Sequence, residues 1–254
     1  GVLPNDNLNI GDIVAASSSC FFERRIAAFG PVSKRLGIEE TSTWAFTSSV
    51  AEGTQDDLRD ASIARRVAVG KMASGRSFST DATGLAWLNE MGCMAKDMET
   101  AATVSTCVQF GIPATSLRVI ADVIDHATEI QTFYSQRPTC VPILVAATRA
   151  FCHRALARLD RQPLSLLSAS PTGIVALHVA MVEEAEPIAA ALGMSARVIA
   201  PFSTYGIRCW VGTSANGGVP LVMVAHGKDD RLGMSRVSTE IATFVTNVLW
   251  RTYG

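Results

Sequence analysis

Lys96-Asp97-Met98-Glu99-Thr100-Ala101-Ala102 runs through Phe110-Gly111-Ile112-Pro113 to Leu117-Arg118-Val119-Ile120-Ala121-Asp122, and this stretch sets the reading of the whole chain. Apolar residues at 98, 101, 102, 104, 107 and 108 fall nearer a 3.6-residue period than strict alternation, so the spacing predicts a helix over 97–110. Gly111-Ile112-Pro113 stops that helix, because proline disfavours helical geometry in the residue before it. Residues 116–121 then read as a buried strand ending at Asp122. Acidic residues therefore stand on both sides of a helix-to-strand passage.

Working outward, 12–17 and 66–72 read as short strands, and a long helix is expected over about 139–159. Residues 161–173 lose periodicity and collect Ser and Pro, the composition of a linker. Beyond it come a strand over 174–181 and a helix from about 183 to 192. Apolar runs at 205–213 and 219–225 flank Ser214-Ala215-Asn216-Gly217-Gly218. Asn-Gly between two such runs signals a hairpin, since both residues tolerate positive φ. A last amphipathic helix covers about 235–250. Strands alternating with helices define an α/β chain with a parallel or mixed sheet.

Composition narrows the function. The 254 residues are 48% hydrophobic and carry a net charge of −1. That length suits one α/β domain with a sizeable core. The near-neutral charge argues against a nucleic-acid partner, because neutralising phosphates takes a basic surface. No apolar run is long enough to span a membrane, and the first residues have the character of no signal peptide. The six cysteines, at 20, 93, 107, 140, 152 and 209, form no Cys-x-x-Cys pair and read as buried thiols of a reducing, cytoplasmic compartment. The four histidines are scattered, so no metal site is expected. Neither a Gly-x-Gly-x-x-Gly fingerprint after a strand, a Walker loop nor a Gly-x-Ser-x-Gly elbow is found, and no cofactor is expected.

Glu99, Asp122 and Glu184 stand where strands give way to helices or loops, the edge at which ligands gather in open α/β sheets. An acidic residue in a helix's first turn also complements the macrodipole, which is the ordinary reading of Glu99 and Glu184. The surrounding residues add a resemblance. The block from Lys96 to Asp125, with Ser74-Gly75-Arg76-Ser77-Phe78, Val179-Ala180-Met181-Val182-Glu183-Glu184-Ala185 and Gly227-Lys228-Asp229 through Gly233 to Val237-Ser238, resembles the methylthioadenosine/S-adenosylhomocysteine nucleosidases, above all the plant methylthioadenosine nucleosidases. That resemblance implies a single three-layer, nucleoside phosphorylase-like domain over 1–254, with a central mixed sheet flanked by helices. The order is rotated: 174–254 resembles the family's first part, 1–160 its second, and 161–173 bridges them. Circular permutation of this kind is tolerated where termini are close and exposed. Gly1 and Gly254 are then expected to be neighbours beside the ribose site. The strand and Gly-rich turn that the family places between them have no counterpart here.

By the same resemblance, Asp122 is the general acid that protonates N7 of a departing adenine, and Glu184 activates the attacking water. Glu99 accepts hydrogen bonds from the ribose hydroxyls, a role suited to a carboxylate because charge-assisted hydrogen bonds are the stronger class. Met98 packs beside the sugar, Phe78 stacks on the purine, and Ser77 and Arg118 stand near the substrate. Core packing is the alternative for Met98 and Phe78, and a structural ion pair is the alternative for Arg118. Two residues depart from the family pattern: Ala121 replaces a Ser or Thr hydroxyl beside the acid, and Arg76 replaces an aspartate. The expected activity is hydrolysis of 5′-methylthioadenosine or a related purine nucleoside such as S-adenosylhomocysteine. A phosphorylase using Arg24, Arg25 and Arg76 as phosphate ligands, and a non-catalytic nucleoside binder, are the alternatives. The resemblance further implies a homodimer, for which Phe22, Phe29 and Trp87 are candidate interface residues, with core burial as the equal alternative.

Overall fold

The computed structural model describes residues 1–4, 7–22, 25–26, 30–31, 43–45, 66–75, 78–110, 112, 114–124, 129–159, 174–200, 202–214, 219–227 and 239–253. The first part of the chain forms β1 (Ile13–Phe21), β2 (Arg25–Ile26), β3 (Gly30–Pro31), β4 (Thr43–Ala45), β5 (Val67–Ser74), α1 (Ala82–Glu90), β6 (Cys93–Asp97), α2 (Thr100–Gln109), β7 (Leu117–Val119) and α3 (Glu129–Leu159). The second part forms β8 (Val175–Val179), α4 (Val182–Ala191), β9 (Ser195–Arg197), β10 (Arg208–Thr213), β11 (Pro220–Ala225) and α5 (Thr239–Tyr253).

The strands build two mixed sheets. In the first, β1, β5 and β6 run parallel in that order, while β4 and β7 both pair antiparallel with the other edge of β1. In the second, β8 and β11 are parallel and β10 and β9 follow antiparallel. A two-residue ribbon joins β2 to β3. The hairpin expectation holds in its strands, Arg208 pairing with Ala225 and Thr213 with Pro220. Ser214 closes the ladder, its hydroxyl accepting from the Val219 amide at 3.1 Å. The turn residues 215–218 and the linker 161–173 lie outside the described residues.

Side-chain alternation gives the second sheet two covered faces. Leu221, Met223 and Ala225 pack with Ala185, Ile188 and Ala189 of α4 and with Cys152 of α3. Val222 and Val224 point the other way, onto Val245, Val248 and Leu249 of α5. That period of two along β11 is what makes helix, sheet and helix into three layers. Val14, Ala16, Met72, Ala95, Val104 and Ile120 fill the space between the first sheet and α2. Helix α3 ties the sheets together, placing Ala147 against Ile13 and Val67 and Cys152 against the second sheet.

Two helix starts differ from the sequence reading. The helix expected over 97–110 begins only at Thr100, because Asp97 ends β6, in register with Ser74 of β5. The helix expected over 139–159 begins at Glu129 and runs through Pro138 and Pro142. Proline removes a backbone hydrogen bond from a helix interior, and packing against both sheets holds the helix across that loss. All six cysteines are buried as free thiols. Burial pushes the thiol pKa of Cys107 and Cys209 up to about 11 and that of Cys152 up to about 12. Phe22 is core, 7% exposed, and packs on Trp87 with ring centroids 5.6 Å apart. It is therefore buried within the fold and is not an open interface residue, whereas Phe29 lies outside the described residues.

Candidate active site

The parallel strands β5 and β6 end side by side, and their last residues start a polar network. Asp97 accepts hydrogen bonds from the hydroxyls of Ser74 and Thr100, and its two oxygens each lie 3.2 Å from the Thr100 amide. The carboxylate thus caps α2 in place of the residue directly before the helix. Arg118, from β7, donates its Nε to Asp97 at 2.7 Å. Its Nη2 reaches Glu99 Oε2 at 3.2 Å and Thr100 Oγ1 at 3.3 Å. Burial opposes the Arg118 charge, but Asp97, Glu99 and Glu184 together raise its pKa above the ordinary value. Asp97 went unnoticed in the sequence, although an acidic residue two positions before another at a strand end was the available signal.

Glu99 sits at the N-cap of α2 with φ −129° and ψ −36°, and its side chain makes no capping bond. The residue is 7% exposed. Oε2 is held by Arg118, whereas Oε1 is buried with no hydrogen-bond partner among the described residues. A buried acceptor left unsatisfied costs about 1–3 kcal/mol, so it is a place for a ligand donor. Burial raises the Glu99 pKa to about 7; the Arg118 charge pulls it down, and the charges of Asp97 and Glu184 push it up.

Glu184 comes from the other part of the chain, in the first turn of α4. Its charge acts on both Glu99 and Arg118. Burial raises the Glu184 pKa, Arg118 and Arg137 oppose that rise, and Glu183 adds to it. Arg137 of α3 lies 3.5 Å from Glu183, pinning the start of α4 to α3.

Asp122 is 4% exposed. Residues 1–3 wedge between it and β6: Val2 bridges to Ala95 on one side and Val123 on the other. The Gly1 nitrogen donates to the Lys96 carbonyl at 2.9 Å and lies 3.4 Å from Asp122 Oδ1. One residue thus links the Asp122 carboxylate to the strand that ends at Asp97. Ala121, beside it, is half-buried and brings no hydroxyl.

Lys96 organises the loop that carries Phe78. Its ammonium is buried, donating to Thr80 Oγ1 at 2.8 Å and to the carbonyls of Phe78 and Ser79 at 3.3 Å, with the Phe22 ring 4.9 Å away. Phe78 is half-buried and meets Phe133 of α3 edge-on at 5.4 Å. Met98 is half-buried between Asp97 and Glu99. Ser77, Arg76 and Arg24 lie outside the described residues, as does the side chain of Arg25. A cavity of about 400 Å³ opens elsewhere, lined by Ser203, Thr204, Tyr205, His226 and Phe244 among others. It contains no carboxylate, so the Asp97–Glu99–Arg118–Glu184 cluster, and not this cavity, defines the candidate site. Among the described residues no group of three or more potential metal ligands occurs, and no helix is long and apolar enough to cross a membrane.

Comparison with known proteins places the chain in a family. The family model described as the phosphorylase superfamily matches residues 1–155, and the chain belongs to that superfamily. Among solved structures, the chain is similar to 5′-methylthioadenosine/S-adenosylhomocysteine nucleosidase from Neisseria meningitidis, at 23% identity and a TM-score of 0.49 over 59% of this chain and 64% of that one. It is also similar to 5′-methylthioadenosine nucleosidase from Arabidopsis thaliana, at 20% identity and a TM-score of 0.49 over 65% and 61% of the two chains. Futalosine hydrolase of Helicobacter pylori matches at 20% identity and a TM-score of 0.45, over 56% and 61%. The aligned part spans less than two thirds of each of these proteins.

Proposed function

We propose that the chain is an N-glycosidase that hydrolyses adenosine-type nucleosides, with 5′-methylthioadenosine as the leading substrate. The observation that carries this reading is Glu99 Oε1, a buried acceptor without a partner, on a carboxylate whose other oxygen is fixed by Arg118. A cis-diol supplies the donors such an oxygen lacks. Charge-assisted hydrogen bonds from ribose hydroxyls to Glu99 would then be worth about twice a neutral pair.

In this mechanism the glycosidic bond stretches toward an oxocarbenium-like sugar. Asp122 donates a proton to N7 so that adenine departs neutral, a contribution of roughly a hundred- to ten-thousand-fold in rate. Glu184 takes a proton from water as it attacks the anomeric carbon. Its raised pKa makes it a stronger base than an exposed glutamate, while the charges of Arg118 and Arg137 favour its ionised form. The Glu184 and Glu99 charges would repel a phosphate dianion, which favours water over phosphate as nucleophile. Adenine release from 5′-methylthioadenosine, followed with and without phosphate, tests the assignment. Release independent of phosphate is expected; strict phosphate dependence would make the chain a phosphorylase, and tight binding without release a nucleoside-binding relative.

The rotated segment order belongs to the same reading. It is supported by the charge of Glu184, from the second part of the chain, acting on Arg118 from the first. Gly254 lies outside the described residues. A gene encoding 174–254 ahead of 1–160 should give a folded protein with the same nucleoside specificity; an insoluble product would count against the permutation.

A further inference from the structure

Behind the carboxylate cluster lies a second polar group that the glycosidase mechanism does not use. His178, on β8, and His226, directly after β11, bring their Nε2 atoms to 2.5 Å. Their rings are 4.7 Å apart at 45°. Two imidazole nitrogens at that distance share one proton, one donating and the other accepting. His178 Nδ1 meets Thr103 Oγ1 of α2 at 3.0 Å and Thr246 Oγ1 of α5 at 3.5 Å. Thr246 already donates to the Ala242 carbonyl at 2.8 Å, so it can only accept from Nδ1. In the tautomer that donates Nδ1–H to the threonine oxygens, His178 Nε2 is the acceptor for His226 Nε2–H.

The pair is fixed from behind. Gly227, next to His226, has φ +74°, and a Cβ there would collide with the Gly206 carbonyl. On the other side, Thr103 donates its amide to the Glu99 carbonyl at 3.0 Å, within the first turn of α2. The hydrogen-bonded chain therefore runs from the second sheet, through His178 and Thr103, to the residue holding the unpartnered carboxylate oxygen.

We propose that His178 is a neutral positioning residue that fastens α2, and with it Glu99, to the second sheet, and that acid releases the fastening. The proposal rests on the reading of Glu99 as the ribose ligand. Among the described residues, the groups facing His178 are Thr103 from α2, Thr246 from α5, His226 after β11 and the Arg118 charge from β7. None of these is an anion that would compensate a His178 imidazolium. Burial, with His226 and Arg118 adding to it, accordingly holds the His178 pKa well below the ordinary value. A proton taken up by His178 removes its acceptor nitrogen and sets a cation against the His226 ring.

Two variants and one cycle test this. His178→Leu is expected to raise the KM or Kd for 5′-methylthioadenosine about tenfold at pH 7.5, with kcat within about threefold. In a Glu99→Gln background the same substitution should change KM less than about twofold, because the residue being positioned is already gone. His178→Gln, which keeps a donor and an acceptor but does not titrate, should bind like wild type at pH 7.5. Its melting temperature should fall less than wild type's, by about 3 °C or more, between pH 7 and pH 5. The sign follows from the lowered His178 pKa. Below pH about 6.5 the unfolded chain takes up a proton that the fold refuses, so wild-type stability drops as pH falls. Additive effects of His178→Leu and Glu99→Gln on KM, or a His178→Gln melt with the full wild-type acid loss, would overturn the proposal. The melting arm needs no turnover: a chain that binds no nucleoside defeats the glycosidase reading and leaves the neutrality of His178 decided by that arm.

Discussion

Two polar regions face each other across α2, and they solve burial in opposite ways. At the ends of β5 and β6, charge is retained: Asp97 and Glu99 bind the guanidinium of Arg118, the charge of Glu184 acts on it, and one Glu99 oxygen has no partner among the described residues. At the ends of β8 and β11, charge is avoided at His178, which meets His226 and two threonine hydroxyls. An excess of like charge with an open acceptor suits a region to receive donors. A buried imidazole hydrogen-bonded to neighbours on two helices suits a region to hold position. Burying a charge that has no ligand is expensive, so the first region is where stability is given up for function.

The largest effect that could break this comparison is catalytic. Asp122→Asn should lower kcat for nucleoside hydrolysis by roughly 10²- to 10⁴-fold, measured as adenine release, with nucleoside binding retained. A variant as active as wild type would remove Asp122 from the chemistry. Next comes Arg118→Met. It strips the cation from two buried carboxylates, and breaking such a pair typically costs about 3–5 kcal/mol, to be read from chemical denaturation. A loss under 1 kcal/mol would mean that the carboxylates are hydrated and the region is not a dry, charged site.

Glu99→Gln sharpens the contrast by pH. Burial raises the Glu99 pKa to about 7, so the fold holds a proton that the unfolded chain has released above about 4.5. Stability from this group is full below pH 4.5 and is lost as pH rises through 7. The glutamine variant should therefore be more stable than wild type at pH 8, by on the order of 3 kcal/mol at most. The two proteins should converge near pH 4.5, while ribose binding weakens in the variant. Equal pH profiles of the melting temperature would show that Glu99 carries no burial penalty. The smallest expected effect is on the quiet side. Gly227→Ala must place a Cβ against the Gly206 carbonyl at positive φ, at a cost of about 1–3 kcal/mol, with little change in kcat.

How much of this was legible beforehand differs by region. The candidate residues Glu99, Arg118 and Asp122 could be singled out because they lie within one continuous block. The helix start was misplaced by three residues, since periodicity cannot tell a capping carboxylate at Asp97 from a helical one. Phe22, offered as an interface candidate, is core, because an aromatic in an apolar run has the same pattern in either place. The histidine pair was invisible: 48 positions separate His178 from His226, and only the parallel pairing of β8 with β11 brings them together.

The sequence by itself determined the α/β class, the superfamily block and the identity of the acidic residues, because these are carried by local periodicity and by contiguous motifs. Only the tertiary structure decided which charges meet. The charge of Glu184 acts on Arg118, and His178 reaches Thr103, between segments more than 60 positions apart. Long-range electrostatics and burial depend on distance in space and not along the chain, so no reading of spacing could have fixed them.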